Sequence, residues 1–84
     1  MNQNNTYRTS DTSLSAYLVT IQFALLYVDY GKPRFEFVFP GSDKIQMAAR
    51  NYLSGNAHCE PSALIRVNRK LLRIIRKRCQ WEDD

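Results

Sequence analysis

Eighty-four residues and 9.8 kDa admit one small domain and exclude a large multidomain enzyme. Apolar residues make up 44% and charged residues 24%, the composition of a folded chain rather than a disordered one. Twelve Lys and Arg against eight Asp and Glu leave a net charge of +4, and two cysteines are too few for a disulfide-built secreted scaffold.

The longest apolar run, Phe23 to Val28, falls far short of the ~18–20 residues of a membrane span. Met1-Asn2-Gln3-Asn4-Asn5-Thr6 carries no cation and no apolar stretch, so no secretory signal is read there and a cytoplasmic chain is expected. Cys59 and Cys79 then read as reduced thiols that pack as small hydrophobes; a disulfide between them would require an oxidising compartment.

Residues 1–8 are polar and read as a flexible lead-in, residues 9–80 as a single α+β domain, and residues 81–84 as an acidic tail. Ser10, Asp11 and Thr12 offer side-chain oxygens that can cap a helix. Leu14, Tyr17, Leu18 and Ile21 follow at helical spacing, which predicts a first helix over 11–21 with Ser13, Ser15 and Thr20 off its apolar face. Phe23 to Tyr30 is aromatic and branched and reads as a strand. Gly31-Lys32-Pro33 is a turn, and Arg34 to Phe39 alternates, with Phe35, Phe37 and Phe39 on one face. The two strands make an antiparallel hairpin that needs a cover, since a lone hairpin is marginal in water.

Pro40-Gly41-Ser42-Asp43 ends the hairpin and caps a second helix with the stripe Ile45, Ala48, Ala49, Tyr52 and Leu53, closed by Gly55. Asn56 to Glu60 reads as a connector, with an extended piece on the hairpin edge as one option. Pro61 suits a first helical turn, and a third helix follows over 61–80. The expected architecture is helix–β-hairpin–helix–helix (αββαα), with the helices packed on one face of the hairpin.

Charge is concentrated in the third helix. Residues 1–60 balance five cations against five acids, whereas 61–81 hold Arg66, Arg69, Lys70, Arg73, Arg76, Lys77 and Arg78 and no acid; Glu82-Asp83-Asp84 follow. On a helical projection Leu64, Ile65, Val67, Leu71, Leu72, Ile74, Ile75 and Cys79 form an apolar half. Arg66, Arg69, Lys70, Arg73, Arg76 and Lys77 form the opposite half over roughly 20 Å, enough to span several phosphates. A solvated basic face with cations toward a helix C-terminus is one reading. Six cations with no acid among them repel and forgo i,i+4 pairs, and this points instead to an anionic partner. Nucleic acid, contacted at its phosphates by Arg66, Arg69, Lys70, Arg73, Arg76 and Lys77, is the first expectation, and an acidic protein surface the second. A membrane surface is disfavoured because the apolar half is needed for the core. The acidic tail either folds back over the basic helix or lies free.

Asn68 falls inside the apolar half, where an unpaired amide is costly. It either bonds a backbone group of the hairpin or first helix, or pairs with its own copy at a homodimer seam. Tyr27 and Tyr30 with Lys32 and Arg34 make a weaker second patch. No nucleotide-binding glycine loop or HExxH is present. The carboxylates are scattered, and His58, Cys59 and Cys79 match no zinc spacing. A non-enzymatic protein without cofactor or metal is expected.

Tyr7-x-Thr9-Ser10-Asp11-x-x-Leu14-x-Ala16-Tyr17-Leu18 resembles the opening of a small domain family of unassigned role, numbered 5659, found in bacteria and their mobile elements. Arg34-Phe35-Glu36-Phe37-Val38-Phe39 is similar to its Val-x-Phe-x-Phe strand. Ala49 to Gly55 resembles its aromatic-then-glycine helix end, and Pro61 with an amphipathic helix resembles its close. The resemblance covers about residues 7–79 and implies the same α+β fold in a bacterial, phage or mobile-element setting, but no activity. Two departures stand out. Ile21-Gln22-Phe23 replaces a glycine-containing turn, and the third helix is denser in cations.

Overall fold

The computed structural model describes residues 5–84. Its elements are β1 (Thr6–Thr9), α1 (Thr12–Thr20), β2 (Tyr27–Asp29), β3 (Glu36–Pro40), α2 (Asp43–Leu53), α3 (Pro61–Lys77) and a 3-10 turn over Trp81–Asp83. The helix–hairpin–helix–helix order holds in a small α+β domain, with one strand added in front. The sheet is antiparallel with strand order β1-β3-β2.

Helix α1 is the hub. Asp11 caps it by accepting the Leu14 N–H at 3.1 Å. Leu14, Ser15, Ala16, Tyr17 and Leu18 are buried in succession, which an amphipathic helix covered on one side cannot achieve. The sheet's inner face carries Val28, Phe37 and Phe39 into the same core, and α2 and α3 both pack on α1. This encirclement corrects the placing of Ser15 on the outside. Ser15 is fully buried, and its Oγ has no hydrogen-bond partner.

The lead-in reading of residues 1–8 is corrected for Thr6–Arg8; residues 1–4 lie outside the described residues. Thr6–Thr9 pairs along β3, with Tyr7 opposite Phe39 and Thr9 opposite Phe37. Threonine and tyrosine suit a pleated ladder, and β3 offered an edge. The Asn56–Glu60 connector, considered for that edge, forms no strand. Gly41 marks where β1 begins: its N–H donates to the Asn5 carbonyl at 2.6 Å, and a Cβ there would lie 3.0 Å from the Asn5 and Thr6 backbone. On the sheet's outer face Arg8 bridges the strands. It reaches Asp29 at 2.9 Å, Glu36 at 3.3 Å and the Tyr27 hydroxyl at 3.1 Å, across buried Val38. The Gly31 N–H, then Arg8, hold the Asp29 carboxyl below its ordinary range.

Strand β2 is shorter than the Phe23–Tyr30 expected, because only Tyr27–Asp29 pairs fully with β3. Its far edge is closed by a side chain. The Gln80 Oε1 accepts the Val28 N–H at 2.6 Å, and the Gln80 Nε2 donates to the Val28 carbonyl at 2.9 Å. The amide thus satisfies both backbone groups that a neighbouring strand would satisfy.

Each helix ends in the same pair of bonds: one from the residue in left-handed conformation, the other from the residue after it. These are Gln22 to Val19 and Phe23 to Leu18, Gly55 to Tyr52 and Asn56 to Asn51, and Arg78 to Ile75 and Cys79 to Ile74. This is the Schellman arrangement, which favours glycine. Gly55 has φ +83°, but Gln22 (82°) and Arg78 (54°) adopt this backbone with a side chain. Arg78 is held by Tyr30: its guanidinium lies 4.9 Å from the ring centroid and donates to the Tyr30 carbonyl at 3.3 Å. The Tyr30 hydroxyl sits 3.0 Å from the Ile74 carbonyl and 2.8 Å from that of Cys79, so it caps α3 from outside. Gln22 has no comparable side-chain anchor among the described residues.

Replacing Gln80 with Ala strands the backbone groups of buried Val28 and is expected to cost about 1–3 kcal/mol in urea unfolding, with faster amide exchange at Val28. Gln22→Gly relieves the left-handed backbone and is expected to raise stability by about 0.5–1 kcal/mol in the same assay.

Candidate nucleic-acid interface

Helix α3 begins at Pro61, and Glu60 caps it. The Glu60 carboxylate accepts the Ala63 N–H at 2.7 Å and bonds the Ser62 hydroxyl, which together with the Ser62 N–H lowers its pKa. Seventeen residues give a helix about 25 Å long. Leu71 and Ile74 are fully buried, and Leu64, Val67 and Ile75 pack partly against the core. Arg66, Arg69, Arg73, Arg76 and Lys77 are exposed along the opposite side, and Lys70 is half-buried at its border. The six cations named from the sequence therefore do share one face.

The apolar half is narrower than the projection indicates. Ile65 is 51% exposed and Leu72 46% exposed. Both lie at the edge of the half-cylinder. Leu53, placed in the buried stripe of the second helix, is also exposed; it lies in that helix's last turn. Asn68 sits between Ile65 and Leu72, and its Oδ1 is buried with no hydrogen-bond partner. Of the two readings given for Asn68, the bond to a backbone group of the hairpin or first helix is not formed by this oxygen.

The acidic tail folds back. Trp81 packs against the core, and the Lys70 ammonium lies 4.0 Å from its ring centroid. The Asp84 carboxylate accepts from Arg73 at 2.8 Å and from Lys77 at 3.3 Å. Arg73 and Lys77, one turn apart, converge on one oxyanion, and they hold Asp84 at a pKa of about 2. Asp83 accepts the Gln80 N–H at 3.1 Å. Three of the six cations, Lys70, Arg73 and Lys77, are thus engaged by the tail. Arg66, Arg69 and Arg76 pair with no carboxylate among the described residues.

A shallow hollow of about 390 Å³ runs between Arg66, Lys70 and Arg73 and Trp81. Cations and the Trp81 side chain border one depression, and its positive charge suits phosphate. The sequence did not bring Trp81 to this site. Its position next to Gln80, whose amide clamps β2, is what draws it there.

The second patch does not assemble. Tyr30 is turned inward to cap α3, Lys32 pairs with Glu36 at 3.5 Å, and Tyr27 is drawn to Arg8. Cys59 and Cys79 are free thiols, each half-buried. Among the described residues no three His, Cys, Asp or Glu side chains gather as metal ligands, and no helix is long and apolar enough to cross a membrane. No protein-family model, curated protein or solved structure matches the chain.

Asp84 has a folded-state pKa below its ordinary value of 3.8. Its contribution to holding the tail is therefore complete above that value and is lost as pH falls from 3.8 toward about 2. Trp81 emission is expected to change over that interval, ahead of loss of helical circular dichroism. In Asp84→Asn the change is expected to be already present at neutral pH.

Proposed function

We propose that this is a small non-enzymatic nucleic-acid-binding accessory protein that grips phosphates with the exposed face of α3. The observation that carries the reading is the convergence of Arg73 and Lys77 on the Asp84 carboxylate at 2.8 and 3.3 Å. That geometry aims two cationic donors at one carboxylate, on a face where Arg66, Arg69 and Arg76 form no ion pair among the described residues. A phosphate presents the same kind of acceptor oxygens and offers charge-assisted bonds to the same donors.

The contacts are to the backbone, so sequence preference is weak and binding is strongly salt-dependent. Asp84 occupies part of the face, and phosphate has to displace it. A cytoplasmic bacterial or mobile-element setting is part of the proposal and comes from the family resemblance alone. The alternative, a protein-interaction module or a phage-type inhibitor, is favoured by the exposed apolar strip of Ile65 and Leu72 beside the arginines.

Fluorescence anisotropy with labelled random duplex and single-stranded DNA and RNA tests the reading. Neutralising about four to six phosphates gives a log–log salt slope of roughly −4 to −5 on duplex DNA. Arg69→Glu/Arg73→Glu is expected to weaken binding by more than ~10-fold, and Asp84→Asn to strengthen it by ~3–10-fold. No binding by any variant at low salt would remove nucleic acid as the partner.

A further inference from the structure

Helices α2 and α3 both lean on α1 and leave a groove between them. Ala16 of α1 lies in its floor; Tyr52 of α2 and Leu64, Ile65, Asn68 and Arg69 of α3 form its walls. The groove holds about 260 Å³, room for one or two large side chains. Its α3 wall continues as a strip, Ile65, Asn68 and Leu72, at the i, i+3, i+7 spacing by which helices meet. Ile65 and Leu72 are about half exposed, and the Asn68 Oδ1 between them is shielded from water without a donor.

We propose that this groove and strip are the docking site of an acidic amphipathic helix from a partner protein. Three properties of the site select that occupant. First, the walls are helices whose backbone groups are already bonded internally. The occupant must therefore satisfy its own backbone, which a helix does and an extended segment does not. Second, large apolar side chains are required to cover Ile65 and Leu72, each about half exposed. Third, Arg69 and Arg76 border the strip on its solvent side without a carboxylate among the described residues, so the flank of the incoming helix carries Asp or Glu. A second copy of this chain fails the third requirement. It would set Arg69 and Arg76 against the same arginines, and like charges facing each other across an interface are repulsive.

The site goes beyond the phosphate-binding reading. It shares Arg69 and Arg76 with that face but not Arg66, Arg73, Lys77 or Trp81, and this separation makes the two ideas testable apart. The probe is a fluorescein-labelled designed helix of about three heptads, with Leu at a and d and Glu at e and g. A control peptide has every Glu replaced by Lys. Anisotropy at about 0.15 M salt is expected to show saturable binding of the acidic peptide and none of the basic one. Leu72→Ser and Ile65→Ser should each weaken it by about tenfold or more, while Met47→Ser, an equally exposed apolar residue outside the groove, leaves it unchanged. Arg66→Glu should leave the peptide bound and weaken duplex DNA. Circular dichroism melts confirm that each variant is folded, and Leu72→Ala provides a milder change at the same position.

Absence of acidic-peptide binding up to about 1 mM would overturn the proposal. Equal binding by wild type and Leu72→Ser would also overturn it, since charge alone would then be at work. Loss of duplex affinity in Leu72→Ser would assign the strip to nucleic acid instead. A dimer in sedimentation that Leu72→Ser dissociates would assign it to a second copy.

Discussion

The encirclement of α1 is the constraint on which the other features rest. A helix with five successive buried residues cannot lie at the edge of a domain this small. The sheet takes one side of it, and α2 and α3 take the flanks. Once both helices are committed to α1, they cannot also cover each other. The groove between them, the exposed Ile65 and Leu72, and the outward turn of the cationic face all follow from that arrangement. Among the described residues no further element closes the gap.

The C-terminal segment fastens this arrangement with polar groups. Tyr30 caps the end of α3, Arg78 lies on the Tyr30 ring, Gln80 closes the β2 edge, and Asp84 returns to Arg73 and Lys77. These contacts link the hairpin, the last helix and the basic face within a few residues. Edge closure comes from Gln80, in the segment that also supplies the internal anion, and the cap on α3 comes from Tyr30 beside the hairpin. The edge clamp at Gln80 and the ion pairs of Asp84 with the cationic face therefore lie within one short span of chain.

Much of the fold was legible in the sequence because it rests on periodicity. The first helix, the alternating Phe strand, the Ser42 cap, Gly55 and the Pro61 start all carry local signals. The clustering of Arg66, Arg69, Lys70, Arg73, Arg76 and Lys77 follows from a turn of about 100° per residue. What the sequence hid depends on partners distant in the chain. Strand β1 is four residues long and polar, and only its pairing with β3 makes it a strand. Ser15 is buried because helices flank α1 on both sides, which no pattern within 11–21 reveals. Gln80 meets Val28 across 52 positions. Whether the acidic tail folds back is decided by the geometry of Arg73 and Lys77 one turn apart, whereas the charge pattern alone left both outcomes open. Gln22 and Arg78 occupy a backbone conformation that neither residue type announces.

The central claim is that the side of α3 turned away from α1 is an anion-binding face with a competing internal anion. The most direct test is a titration of the uniformly 15N-labelled protein with a short DNA duplex, followed by amide and indole shifts at several salt concentrations. The expected result is a contiguous set of shifts at Arg66, Arg69, Arg73, Arg76 and Lys77, with the Trp81 indole and Asp84 moving in step as the tail is displaced and all reversing on added salt. Shifts centred on the outer face of the sheet around Arg8 and Tyr27, or an Asp84 that stays seated while duplex binds elsewhere, would contradict it.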